Sequence, residues 1–113
     1  MGAVEDRLAA LGLTVQDVVP PVAAYVPAVR TGSYVYTSGQ LPFVDGVLQE
    51  TGKVCAEVTP ERAAELAQLC ALNAIAAVKS VVPLDTVVRV VKVVGFVASA
   101  PDFTGQPGVI NGA

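Results

Sequence analysis

Tyr34-Val35-Tyr36-Thr37-Ser38-Gly39-Gln40-Leu41-Pro42 is the stretch around which the chain is organised. It opens as an alternating run of aromatic and β-branched residues, the pattern of a half-buried strand, because successive side chains leave opposite faces of the pleat. The Ser38-Gly39 pair ends that strand at a residue without a Cβ, and Pro42 closes the turn. Taken alone, a strand ending in an ordinary turn accounts for the stretch, since Ser-Gly is a common turn pair. If the chain carries a chemical site, this corner is where it belongs.

Upstream, Val4, Leu8 and Leu11 share one helical face and Gly12 follows them, which predicts a short helix over residues 4–11. Pro20-Pro21 forces an extended connection. Residues 25–30 are interrupted by Pro27, so they form an edge strand or enter the ladder at the proline. Thr31-Gly32-Ser33 then turns the chain into residues 34–38 as a β-hairpin. Downstream, Asp45-Gly46 is a second turn, and residues 47–48 and 53–55 are short strands around Thr51-Gly52. Thr59-Pro60-Glu61 is a helix start: a hydroxyl cap, a proline in the first turn and an early acid. Ala63, Leu66, Cys70, Ala74 and Ala77 repeat at spacings of three and four, predicting an amphipathic helix of about 18–20 residues that ends before Pro83.

Residues 86–98 are a long valine-rich run. Both alternating faces are mainly apolar, which marks a strand covered on both sides. One layer of helices covers one side, so the other requires a second layer or neighbouring subunits. Gly95 reads as a bulge or bend in that strand. The remainder, from Ser99 through Phe103 to Pro107, reads as loop.

Composition points the same way. Of 113 residues, 53% are hydrophobic and 15% charged, against about 25% charged in an average soluble domain. A chain this small has too little interior for so much apolar side chain, and the excess implies burial against another subunit. No apolar run reaches the length of about 18 residues that suggests a membrane span. The net charge of −3 argues against a nucleic-acid surface. The chain has no histidine, which removes His-based triads, the usual imidazole base and most zinc sites, so no metal is expected. The two cysteines, Cys55 and Cys70, do not make a secreted-type framework, and the first residues lack a signal-peptide pattern; a cytoplasmic protein with reduced thiols is the expectation.

Three segments together resemble the RidA/YjgF family, also labelled L-PSP endoribonuclease or translation-inhibitor-like. Ala24-Tyr25-Val26-Pro27-Ala28-Val29-Arg30-Thr31-Gly32 is similar to its first strand and turn, and Thr37-Ser38-Gly39-Gln40-Leu41-Pro42 to its most recognisable short signature. Leu72-Asn73-Ala74-Ile75 and Val90-Val91-Lys92-Val93 resemble its helix and central strand. The segments from Arg7-Leu8 to Leu13, with Val109-Ile110-Asn111-Gly112-Ala113, look like a subgroup with a longer N-terminus.

The resemblance implies an α+β fold, a chorismate-mutase-like mixed sheet with helices on one face, packing as a homotrimer with clefts between neighbours. It also implies a single RidA-like domain over residues 1–113, C-terminally incomplete relative to the family. Many members hydrolyse reactive enamines and imines to 2-oxo acids and ammonia without a cofactor. By resemblance Tyr25 and Ser38 line the cleft, the Gly39 backbone approaches the ligand, and Asn111 is a further match. The family's substrate-clamping arginine lies beyond the matched region, so no catalytic residue is assigned. Arg30, Arg62 and Arg89 remain, each with a simpler expected role as a solvated or interface charge. The expected partners are further copies of the chain and a small-molecule ligand. A non-catalytic trimer that binds small carboxylates or ketones is the alternative to the hydrolase, and an RNA-cleaving role is third.

Overall fold

Gly2 heads the first helix without a side chain to cap it, and a residue far along the chain does that work. The structure, a computed structural model, describes residues 2–113. Helix α1 spans Ala3–Ala10. The Asp85 carboxylate accepts from the Ala3 N–H (2.9 Å) and the Val4 N–H (3.0 Å), satisfying two of the donors that a helix N-terminus leaves unpaired. Those bonds hold the Asp85 carboxyl below its usual range. At the other end Gly12 takes a φ of +74°. Its N–H donates to the Ala9 carbonyl and that of Leu13 to the Leu8 carbonyl, the two-bond closure that a left-handed glycine permits.

Two compact units follow from the packing: residues up to Gln40 with Leu72–Val91, and Leu41–Ala71 with Lys92–Ala113. The first contains α1 and the hairpin of β1 (Ala28–Thr31) and β2 (Tyr34–Thr37). Its register pairs Val29 with Tyr36 and Thr31 with Tyr34, so Val29, Thr31, Tyr34 and Tyr36 share one face, and all four are exposed. Ala28 is buried. Pro27 therefore precedes the ladder, as a residue without an N–H must. Gly32 turns the hairpin at φ +57°.

The second unit holds β3 (Phe43–Val44) and β4 (Val47–Leu48), paired antiparallel. Asp45 (φ 50°) and Gly46 (φ 77°) join them; two consecutive left-handed residues match the twist of a tight hairpin. Val54 makes parallel bridges to Val58 and Ser99. Its N–H donates to the Ala98 carbonyl and its carbonyl accepts from the Ala100 N–H, each at 2.9 Å. The core here is Val54, Val58, Ala63 and Val109, with Leu66, Ala67, Val97 and Phe103 packed on it.

Helix α2 (Pro60–Lys79) contributes its first half to this unit and its last turns to the other. Thr59 Oγ1 accepts from the Arg62 N–H at 3.1 Å, the cap expected from the Thr-Pro-Glu start. Asn73, Ala76 and Ala77 are buried along it, in keeping with the alanine-rich face. The segment read as loop, Ser99 to Pro107, passes at its end into a third helix, α3 (Gln106–Ile110), with a proline in its first turn.

The valine-rich run departs from expectation. A short 3₁₀ turn covers Leu84–Thr86, but residues 87–98 form no strand. No hydrogen bond among the described residues involves the backbone of residues 88–97. Val88 is 96% and Phe96 94% exposed, and Val91 and Val93, on the opposite alternation, are exposed as well. Alternating apolar residues specify a surface that fits a sheet; a ladder also needs a second backbone alongside, and this chain places none there. Nor is Gly95 a bulge. A Cβ there would collide with the Ile110 side chain, so the glycine seats Ile110 of α3.

Candidate functional site

The Ser38 corner is built by the end of one strand folding onto the proline before its neighbour. The Ser38 N–H donates to the Pro27 carbonyl at 2.9 Å, extending the β1–β2 pairing one step past the ladder. The Ser38 hydroxyl donates to the same carbonyl at 3.3 Å. Gln40 folds back over the turn, its Nε2 lying 3.4 Å from both the carbonyl oxygen and the Oγ of Ser38. The hydroxyl is thus held from two sides, and no titratable side chain that would act as its base is bonded to it. Its bonded partners are a carbonyl and an amide, neither of which activates a nucleophile.

Gly39 sits at the tip. A Cβ added there would meet nothing within 4 Å, and its φ lies outside the left-handed region. Neither packing nor backbone geometry among the described residues demands a glycine, and the space beside its backbone is open. Tyr25 lies two residues before Pro27, its N–H bonded to the Ala23 carbonyl at 2.9 Å and the residue 44% exposed. Tyr25, Ser38 and Gly39 belong to the first unit. Asn111 belongs to the second, where it ends α3; its N–H donates to the Pro107 carbonyl at 3.0 Å and its side chain is exposed.

Arg62 and Arg30 have their own engagements. Arg62 forms ion pairs with Glu50 (2.9 Å) and Glu65 (3.2 Å); its bond to Glu50 is the main reason its guanidinium is held above the ordinary value. Arg30 Nε donates to the Gly32 carbonyl at 3.1 Å within its own turn. Arg89 is exposed. Among the described residues no three His, Cys, Asp or Glu side chains cluster in a way that would hold a metal ion. A cavity of about 500 Å³ in the first unit is lined by Gly2, Glu5 and Lys79 to Asp85. Its charges are already matched, Asp85 to the α1 amides and Lys79 to Glu5 at 3.6 Å, and it contains none of the expected site residues. Gln40 is the residue that sequence reasoning passed over. Its signal was present in the i, i+2 spacing from Ser38, which lets a side-chain amide reach back over a turn.

The comparisons with known proteins agree with this architecture. The Endoribonuclease L-PSP family model matches residues 15–113. Protein TCP17 of Trypanosoma cruzi is 37% identical over 113 residues, covering 99% of this chain and 71% of that protein. A crystal structure of a protein of unknown function from Agrobacterium tumefaciens superposes with a TM-score of 0.79 at 41% identity, covering 96% of this chain and 66% of that one. A candidate endoribonuclease from Shewanella oneidensis superposes with a TM-score of 0.84 at 27% identity, covering 96% and 72%. The chain thus spans about two thirds to three quarters of the length of these relatives. No helix among the described residues is long and apolar enough to cross a membrane. With the family model matching residues 15–113 and a relative 37% identical across 99% of the sequence, this α+β chain belongs to the endoribonuclease L-PSP family, also called RidA/YjgF.

Proposed function

We propose that this protein hydrolyses reactive enamine and imine intermediates to 2-oxo acids and ammonia, at clefts between copies of the chain in a homotrimer. In the reaction the enamine tautomerises to its imine, water adds to the C=N carbon, the C–N bond breaks and ammonia leaves as the carbonyl forms. The observation that carries the reading is the Ser38-Gly39 corner: a serine hydroxyl in contact with the Pro27 carbonyl and the Gln40 amide, beside a glycine whose open side no described residue fills. Tyr25, exposed two residues before Pro27, supplies an aromatic side chain for a small planar substrate. Self-association is supported by the exposed apolar surface of residues 88–96 and of the hairpin face bearing Val29, Tyr34 and Tyr36, since isolated soluble chains rarely leave such contiguous patches uncovered.

The test is release of ammonia and 2-oxo acid from freshly generated 2-aminoacrylate, with light scattering on the same preparation. Turnover above the buffer control by a trimer is expected. No turnover refutes the hydrolase, and a stable monomer at micromolar concentration refutes the assembly. RNA cleavage is a second reading, carried by the family's label. The net charge of −3 and the absence of histidine weigh against it, and a cleavage assay on protein freed of contaminating nuclease decides it.

A further inference from the structure

A serine hydroxyl has one proton to give and two lone pairs to accept with. At Ser38 the neighbouring groups favour one use of these. Gln40 Nε2 lies 3.4 Å from the Ser38 carbonyl oxygen. A carbonyl only accepts, so the end of the carboxamide turned toward Ser38 is its NH₂ group. That same group lies 3.4 Å from Ser38 Oγ, and the Oγ therefore accepts there. Its own proton goes to the Pro27 carbonyl, 3.3 Å away. The proton and one lone pair are engaged, and a single lone pair remains.

We propose that Gln40 is a positioning residue that sets the polarity of the site. By donating to Ser38 it keeps the hydroxyl an acceptor toward the ligand, so the site selects a small planar ligand that presents an N–H to Ser38 over one that presents only an oxygen acceptor there. This inference rests on the imine hydrolase reading and gives it a direction. The imino or enamine nitrogen of the substrate brings an N–H to the Ser38 lone pair. The 2-oxo acid product has a carbonyl oxygen in its place, which meets lone pair against lone pair and leaves. Gln40 itself touches no substrate; it acts through Ser38.

Calorimetry on the full chain with 2-aminobenzoate and benzoate tests this, because the two stable probes differ only in the N–H beside the carboxylate. The expected result is about three- to tenfold tighter binding of 2-aminobenzoate, the range one neutral hydrogen bond supplies. Gln40→Met keeps the side-chain length, removes the donor and frees the hydroxyl to turn, so it is expected to level the two affinities. In a Ser38→Ala background the preference is already lost, and Gln40→Met is expected to change nothing further. Gln40→Ala is the second variant, and circular dichroism confirms the fold of each. No preference in the unmodified protein, no binding of 2-aminobenzoate, or a preference that survives both Gln40 variants overturns the proposal. So does an equal Gln40 effect with and without the Ser38 hydroxyl. A Gln40-dependent preference without turnover of 2-aminoacrylate leaves this inference standing and removes the hydrolase. Turnover with no Gln40 dependence does the reverse.

Discussion

One substitution made at two glycines four residues apart is predicted to change stability in opposite directions. Gly108 lies inside α3, and a Cβ there would meet nothing within 4 Å. Alanine restricts the unfolded chain and suits a helix, so Gly108→Ala is expected to stabilise by about 0.4–1 kcal/mol, toward the lower figure in so short a helix. Gly112 lies just past the same helix, and its added Cβ would land on the Ala64 carbonyl oxygen, 2.7 Å from the Ala64 carbonyl carbon and 2.9 Å from its Cα. These are backbone atoms of α2, so no side chain can rotate out of the way. Relief requires α3 to slide, and α3 is anchored by Val109 in the core with Val54, Val58 and Ala63. Overpacking of this kind costs about 1–3 kcal/mol. Urea unfolding followed by circular dichroism measures both, and at about 4 °C per kcal/mol for a chain of this size the Tm shifts are resolvable as well. Gly112→Ala that matches the unmodified protein, or a pair of variants shifted in the same direction, would refute the close-packed contact between α3 and α2.

Three further outcomes follow from the geometry. Gly39→Ala is expected to leave the Tm within a degree or so of the parent, since its Cβ meets nothing, yet to lower turnover of 2-aminoacrylate by about tenfold, the kinetic equivalent of some 1.4 kcal/mol; unchanged kinetics would show that the open side of Gly39 is not ligand space. Asp85 has its folded pKa depressed by the amides of Val4 and Ala3, so its stabilising contribution is present above the unfolded value of about 3.9 and is lost as pH falls through the folded value. Amide exchange should therefore show Ala3 and Val4 losing protection first under acid, and Asp85→Ala should abolish that pH dependence. Cys55 is exposed while burial pushes the Cys70 thiol up, so Ellman's reagent at pH 8 should label Cys55 promptly and Cys70 only slowly until the protein unfolds; two equally fast thiols would contradict the burial of Cys70.

The elements legible in the chain were those specified by neighbours a few residues apart. Thr59-Pro60-Glu61 starts α2 where it was read, Gly12 closes α1, and Gly32 and Asp45-Gly46 turn two hairpins, because a cap, a missing N–H or a positive φ acts within one turn of backbone. The Ser38-Gly39 corner was legible for the same reason. What tertiary structure alone decided involves residues distant along the chain: Asp85 capping a helix that begins 82 residues earlier, Gly95 making room for Ile110, and Gly112 lying on Ala64. The valine run shows the division most plainly. Its alternation declares side chains suited to a covered sheet, but strand pairing depends on which backbone lies alongside, and no local pattern within residues 86–98 encodes that neighbour.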